Sequence, residues 1–125
     1  MRLNQVTIPS NNVKKSVDFY KKLGLHLIVD ASPRYVRFEL PDGESTFSIH
    51  YTENLPKESS ITVYFEDDNL DELVKLLQGK GIQFTLLPTD QNWLWREAHL
   101  IDPDGNKLIL YTAGENRKNP PWRVN

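Results

Sequence analysis

The segment QNWLWREAH, residues 91–99, concentrates the side chains of this chain that are best suited to chemistry. In an extended backbone every second side chain points to the same side. Here those side chains are Trp93, Trp95, Glu97 and His99. They would form an aromatic wall with one acid and one base, which suits a planar or cationic small molecule. Trp93 fits a dimer interface equally well, because tryptophan is enriched there, whereas a cavity is the favoured place for Trp95 and Glu97.

A second histidine, His50, lies in the predicted strand TFSIHYT. It could form an acid–base pair with Glu39 or Glu97, because an imidazole changes its charge near neutral pH. A hydrogen-bonded structural histidine is the alternative. Arg37, beside Glu39, either binds an anionic ligand or pairs across strands. The candidate catalytic residues are therefore His50 and Glu97.

Length and composition fit a soluble globular chain. Its 125 residues, of which 38% are hydrophobic and 26% charged, are enough to bury a core. The net charge of −2 gives no basic footprint for nucleic acid or a membrane surface. The lack of cysteine excludes disulfides, thiolate metal sites and a cysteine nucleophile. Neither a signal-peptide pattern nor a run of transmembrane length is present, so we expect a cytoplasmic protein.

Hydrophobic patterning predicts the same order of elements twice. The first half reads as a strand, LNQVTIP, that ends at Pro9, a helix in SNNVKKSVDFYKKLG, and the strands LHLIVD, YVRFEL and TFSIHYT. The second half reads as SITVYF, a helix in DDNLDELVKLLQGKG, and the strands IQFTLL, WREAHLI and KLILYT. Asn69 and Glu72 resemble a capping box at the start of the second helix. Pro41-Asp42-Gly43 and Pro103-Asp104-Gly105 are corresponding turns.

The repeat predicts an α+β fold of two βαβββ modules, about 1–53 and 59–113, within a single domain 1–125 that ends in a tail, 114–125. One face of each sheet is apolar and must be covered by its helix. The other face mixes aromatic, charged and aliphatic residues, which suits a ligand cleft better than a plain solvated sheet surface. The side chains predicted to line the cleft are Gln5, Tyr35, Arg37, Glu39, Ser48, His50, Ser60, Trp95, Glu97, His99, Ile109 and Tyr111.

The tail contains NPPWRV, in which two prolines precede Trp122. A disordered tail is one interpretation. We expect instead an ordered strap that docks on its own body or on a dimer partner and covers the cleft.

Three motifs in this order resemble the vicinal oxygen chelate superfamily, which includes glyoxalase I, extradiol dioxygenases, and bleomycin and fosfomycin resistance proteins. They are SVDFYKKLGL, EDDNLDELVKLLQGKGI and WREAHLIDPDGNKLILY. The resemblance extends to Thr112. It implies the glyoxalase/bleomycin resistance/dihydroxybiphenyl dioxygenase fold, in which curved mixed sheets surround a cleft. It also implies a small organic ligand and a homodimer.

Metal-dependent members of that superfamily use four side chains on the cavity face: His or Gln on the first strand, Glu on the fourth, His on the fifth and Glu on the eighth. The corresponding residues here are Gln5, Ser48, Ser60 or Ile61, and Ile109. Serine and isoleucine are poor substitutes for imidazole or carboxylate donors, so we expect the family metal site to be missing. A rearranged divalent-metal site is the alternative, with Gln5, His50, Glu97 and His99 as donors.

Three functions therefore stay open. The first is a metal-free protein that binds a small organic molecule, as the drug-sequestering resistance members do. The second is a lyase, isomerase or dioxygenase-like enzyme with a rearranged metal or acid–base site. The third is a non-catalytic module whose aromatic face contacts another protein. The resemblance alone does not choose, because one scaffold hosts unrelated chemistries.

Overall fold

The computed structural model describes residues 1–58 and 61–124 and divides into two compact units. The first unit comprises residues 1–58 and 102–106, and the second comprises residues 61–101 and 107–124. Each unit holds one four-stranded mixed sheet and one α-helix. The predicted α+β fold of two βαβββ modules is confirmed.

The sheet of the first unit has the strand order β1-β4-β3-β2, with β1 parallel to β4 and the other pairs antiparallel. Its elements are β1 (Gln5–Ser10), α1 (Val13–Leu23), β2 (His26–Ala31), β3 (Tyr35–Glu39) and β4 (Thr46–Tyr51). The predicted end of the first strand at Pro9 is wrong, because Pro9 and Ser10 still pair with β4. As β1 is an edge strand, the missing N–H of proline does not interrupt the sheet.

The sheet of the second unit repeats this plan in the order β5-β8-β7-β6. Its elements are β5 (Thr62–Glu66), α2 (Leu70–Gly79), β6 (Leu86–Asp90), β7 (Arg96–Ile101), β8 (Lys107–Thr112) and a 3₁₀-helix, Gly114–Arg117. The predicted strand IQFTLL is placed too early. Its first residue, Ile82, is buried and donates its N–H to the Leu77 carbonyl, so it closes α2 instead of starting the strand.

The covered faces of the sheets follow the predicted alternation. The fully buried members include Ile8, Val36, Phe38, Phe47, Ile49, Leu108 and Leu110. Tyr51 and Ile61, which the same alternation assigns to these covered faces, are exposed instead. Tyr51 is the last residue of β4 and Ile61 lies just before β5, so both stand at the ends of their strands.

The two helices begin with different hydrogen bonds. Asn12 caps α1, because its side-chain Oδ1 accepts the N–H of Lys15 at 3.2 Å. Asn69 holds the same position before α2, but its side chain makes no capping hydrogen bond. The predicted capping box of Asn69 and Glu72 is therefore wrong. Asp67 substitutes in part, accepting the N–H of Asn69 at 2.8 Å.

Replacing Asn12 with alanine is therefore expected to cost about 1 kcal/mol of unfolding free energy, the usual value of a lost N-cap. Asn69→Ala serves as its matched control, and should cost only a few tenths of a kcal/mol because no cap bond is lost. Urea unfolding of both variants measures the difference. Equal losses would contradict the cap assignment.

The turn between β7 and β8 packs into the first unit through Asp102, whose side chain is 4% exposed. Its Oδ1 accepts the N–H groups of Asp104 (2.9 Å) and Asn106 (2.8 Å). Its Oδ2 accepts the Tyr20 hydroxyl (2.6 Å) and the Asn106 amide (2.9 Å). Burial, reinforced by the Asp102 charge, holds the pKa of Tyr20 far above its ordinary value, so the phenol stays a donor. Three of these four bonds close the turn itself, and the bond from Tyr20 joins it to α1.

The beginning of the tail contacts the second unit. Asn116, in the 3₁₀-helix, accepts the indole N–H of Trp95, and Arg117 lies 3.8 Å from the Glu66 carboxylate. Trp122 is 57% exposed, so the predicted docking of this residue on its own body is not observed within the described part of the chain. Docking on a dimer partner stays a prediction.

Candidate functional site

Three rings meet on the face of the second sheet that α2 does not cover. The Trp95 indole stacks on Tyr111, with centroids 4.5 Å apart and planes at 14°. Tyr64 contacts both rings edge-on, at 5.9 Å from Trp95 and 5.7 Å from Tyr111. Trp95 precedes β7 and is not part of the strand, contrary to the prediction. The three residues form what we call the ring cluster.

Beside the ring cluster lies a carboxylate, Glu97, which is only 2% exposed. The Trp93 indole N–H donates to its Oε2 at 2.7 Å, and His99 Nε2 lies 2.8 Å from its Oε1 in a second hydrogen bond. Such bonds to a charged acceptor are shorter and stronger than neutral ones. Glu97 is paired in register with Tyr111 of the ring cluster. The predicted grouping of Trp93, Glu97 and His99 on one side is thus observed, and we call it the Glu97 triad.

A tight turn between β6 and β7 presents both tryptophans. Gln91 donates its N–H to the Trp95 carbonyl at 2.8 Å, and Leu94 donates to the Gln91 carbonyl at 3.1 Å. Leu94 adopts φ = 67°, a left-handed conformation that costs a branched side chain free energy. Strain of this kind often marks functional sites. No residue pattern indicated this conformation, because leucine stands where glycine is usual.

The same turn borders an open pocket of about 450 Å³. It is lined by Asp90, Gln91, Leu94, Trp95, Arg96, Thr112, Ala113 and Asn116. Arg96 is engaged by two carboxylates, Asp71 (2.9 Å) and Asp90 (3.0 Å), so its positive charge is neutralised. The hydrogen bond from Arg96 lowers the pKa of Asp71, which keeps that carboxylate ionised. Trp95 therefore belongs both to the ring cluster and to the pocket lining, where Arg96 and its two partners, Asp71 and Asp90, sum to one negative charge.

The first sheet carries a polar network on its own uncovered face. A hydrogen bond of 2.6 Å joins Thr7 Oγ1 and Ser48 Oγ, and Arg37 Nε donates to the Tyr35 hydroxyl oxygen at 2.9 Å. Desolvation raises the pKa of Tyr35, but hydrogen bonds with Ser48, Arg37 and Gln5 outweigh it and leave the pKa below its ordinary value. This network brings together four of the predicted ligand-binding residues.

The predicted pairing of His50 with Glu39 does not occur. His50 is in register with Tyr35, whereas Glu39 is in register with Thr46, four residues earlier on β4. Because a strand rises by about 3.3 Å per residue, His50 and Glu39 lie about 13 Å apart along the strand direction. Glu97, the other predicted partner of His50, has both carboxylate oxygens engaged within the Glu97 triad.

The positions that the resemblance assigns to a metal do not fit a divalent cation. Gln5 Oε1 accepts the Thr46 hydroxyl at 2.7 Å, and Ser48 is bonded to Thr7. Ile109, in register with His99, is aliphatic and 4% exposed. Ser60 lies outside the described residues.

The rearranged set of metal donors is divided between the units: Gln5 and His50 belong to the first unit, and Glu97 and His99 belong to the second. Within residues 1–58 and 61–124, no three His, Cys, Asp or Glu side chains group closely enough to hold a metal ion.

Fold and sequence together define the class of this protein. The family model of the Glyoxalase/Bleomycin resistance protein/Dioxygenase superfamily matches residues 2–110, and the chain belongs to that superfamily. The resemblance drawn from the three motifs is confirmed. In the described ranges no helix is both long and apolar enough to cross a membrane.

Among individual relatives, the chain is 28% identical over 127 residues to the uncharacterized protein YraH of Bacillus subtilis strain 168, covering 89% of this chain and 98% of YraH. A glyoxalase/bleomycin resistance protein/dioxygenase from Nocardioides superposes with a TM-score of 0.80 at 19% identity, covering 100% of this chain and 90% of that one. A bleomycin-binding protein complexed with bleomycin superposes with a TM-score of 0.76 at 22% identity, covering 90% and 98%. At such identities the two structures establish the fold alone.

Proposed function

We propose that this chain binds a small organic molecule, planar and aromatic or cationic, at the ring cluster and adjoining pocket of its second unit, without a metal ion. One observation carries the proposal: a buried carboxylate, Glu97, stands in register beside a stack of aromatic rings. The bleomycin-bound relative supplies a precedent for binding an organic ligand on this fold.

The contacts favour a cation over an anion. Tryptophan attracts cations to its face, with about 2 kcal/mol when the pair is desolvated. Trp95 lines the pocket, and its ring stacks on that of Tyr111. Asp90 and Arg96 both line the pocket, and Arg96 is paired with Asp90 and Asp71, so these three groups together leave one negative charge. Coulomb attraction from a buried carboxylate acts through a low dielectric and adds to this preference.

Trp95→Leu is expected to weaken binding of a cationic aromatic by about tenfold or more, because the stacking face is lost. The probe is N-methylquinolinium, compared with neutral quinoline, by calorimetric titration and thermal unfolding in the presence of a chelator. The matched control, Trp122→Leu, removes the same side chain from the exposed tail and should leave both affinities unchanged. Glu97→Gln should weaken the cation more than the neutral probe.

Failure of both probes to bind or to raise the unfolding midpoint would contradict the proposal, since any ligand of the native state stabilises it by mass action. Equal effects of the two tryptophan variants would do the same. Binding of the neutral probe alone would retain the aromatic site and overturn the preference for cations.

The hydrogen bond between His99 and Glu97 favours a second candidate, a lyase, isomerase or dioxygenase-like enzyme that uses this pair in acid–base catalysis or in a rearranged metal site. Turnover that disappears with a chelator or in Glu97→Gln would support it.

The third candidate, a protein-interaction module, requires a partner that quenches Trp95 fluorescence and no small-molecule response. A homodimer and a cytoplasmic location are further parts of the proposal, which sedimentation analysis and cell fractionation test.

A further inference from the structure

We infer that the uncovered face of the first sheet holds a second binding site, for an oxyanionic group of a small molecule, with the Arg37 guanidinium as its main contact and the Tyr35 hydroxyl beside it. This inference does not depend on the proposed function, because its residues, its unit and the charge of its ligand are all different.

Arg37 is the basis of the argument. It is half-buried on β3, and among the ion pairs of residues 1–58 and 61–124 none involves its guanidinium. Within the described residues its one hydrogen bond runs from Nε to the Tyr35 hydroxyl oxygen, at 2.9 Å. The two terminal nitrogens reach solvent, since the described residues contain no fully buried side-chain nitrogen or oxygen without a partner. A guanidinium fork left open in this way matches a carboxylate or phosphate in bidentate geometry.

The surroundings hold that fork in place. The Arg37 guanidinium carbon lies 5.5 Å from the Tyr35 ring centroid, so the side chain lies over the ring. Ser48 is paired in register with Arg37 on one side and with Thr7 on the other, and its hydroxyl is hydrogen-bonded to that of Thr7 at 2.6 Å. Ser48 is fully buried at the base of this row. Fixing the donors before binding lowers the entropy cost of recognition.

The only acidic side chain among the predicted residues on this face is Glu39, two residues along β3 from Arg37. It is exposed, in register with His26 and Thr46, and forms no ion pair with Arg37. Glu39 therefore does not neutralise the Arg37 guanidinium, which stays available to a ligand. An exposed carboxylate at that separation is screened by water and salt, whereas a bidentate ligand would contact Arg37 directly.

The experiment titrates the full chain with inorganic phosphate, phenylphosphonate and benzoate at constant ionic strength, and follows the ¹⁵N–H signal of Arg37 Nε by NMR together with calorimetry. We expect a saturable shift of that signal. Arg37→Gln should weaken binding by about tenfold or more, the value of a lost charged hydrogen-bond pair, and Arg37→Lys should fall between, because it keeps the charge but loses the fork. Comparing benzoate with phenylphosphonate decides between a carboxylate and a phosphorus oxyanion.

Arg34→Gln is the matched control, because Arg34 is an exposed arginine of the same unit and its loss changes the net charge equally. It should leave the anion affinity unchanged. A shift that does not saturate, or equal losses in Arg34→Gln and Arg37→Gln, would overturn the inference by indicating general electrostatic attraction. If Arg37→Gln does not fold, Arg37→Lys and the wild-type titration still decide. The cationic probes of the second unit report separately, so either proposal can fail alone.

Discussion

Replacing Asp102 with alanine is expected to lower the free energy of unfolding by about 3–4 kcal/mol, a loss typical of substitutions that break a buried hydrogen-bond network. The Asp102 carboxylate satisfies two backbone N–H groups of its own turn, one amide hydrogen of Asn106 and the hydroxyl of Tyr20. Alanine would leave these donors without an acceptor in a buried place, and each unsatisfied donor carries a desolvation penalty.

Urea unfolding measures the loss, and two further variants apportion it. Tyr20→Phe removes one donor and leaves the turn intact, so about 1–2 kcal/mol should be lost. Asp42→Ala changes an exposed aspartate in the corresponding turn of the first module, and should change stability by less than about 0.5 kcal/mol. A small effect of Asp102→Ala, similar to that of Asp42→Ala, would show that the turn is held by packing rather than by this carboxylate.

The sequence predicted most of the fold because two independent kinds of information agreed. Alternation assigned the sheet faces, and the repeated order of helix, strands and Pro-Asp-Gly turns gave each module a second copy for comparison. The agreement failed where a residue has two possible uses. Ile82 is as suitable for a strand as for closing a helix, and only the N–H bond to Leu77 in the folded chain decides for the helix.

The candidate site was predictable within one segment but not between segments. Trp93, Glu97 and His99 come from neighbouring positions, so alternation alone grouped them. Contacts between strands depend on register, and a shift of one residue changes every partner. Register is what separates His50 from Glu39, and it also places Tyr111 beside Glu97.

Side-chain geometry accounts for the features that no pattern indicated. The ring cluster needs Trp95 to leave the strand through a turn with Leu94 in a left-handed conformation, which its residue type does not favour. The open guanidinium of Arg37 required knowing which carboxylates lie within reach of it. The described faces therefore differ in character: the second unit combines rings with carboxylates, and the first combines a cation with hydroxyls.

Ile109→Glu, which restores the acid of the metal-dependent members, is expected to destabilise the protein by about 3–5 kcal/mol at neutral pH, as an unpaired buried charge does. Ile109 is 4% exposed and lies between Tyr64 and His99 in the sheet register. A carboxylate there would lie next to Glu97, which already takes the hydrogen bond of His99. Desolvation and the Glu97 charge would raise the pKa of the new carboxyl above its ordinary value.

The sign of the pH dependence follows from that direction. A raised pKa in the folded state means that the folded protein binds the proton more tightly. The penalty is therefore full above this raised pKa, decreases as the pH falls from it towards the ordinary pKa of glutamate, and is smallest below that ordinary value. Unfolding measured at neutral pH and at about pH 4.5, each against the wild type, should show the smaller penalty at the lower pH. Ile101→Glu, at a position that is 50% exposed, is the matched control and should cost less than about 0.5 kcal/mol at both pH values.

Adding zinc, nickel, manganese or iron(II) should not restore the stability of Ile109→Glu, because serine stands where a second donor is needed. Recovery with any of these metals would instead contradict the conclusion that the remaining positions do not fit a cation.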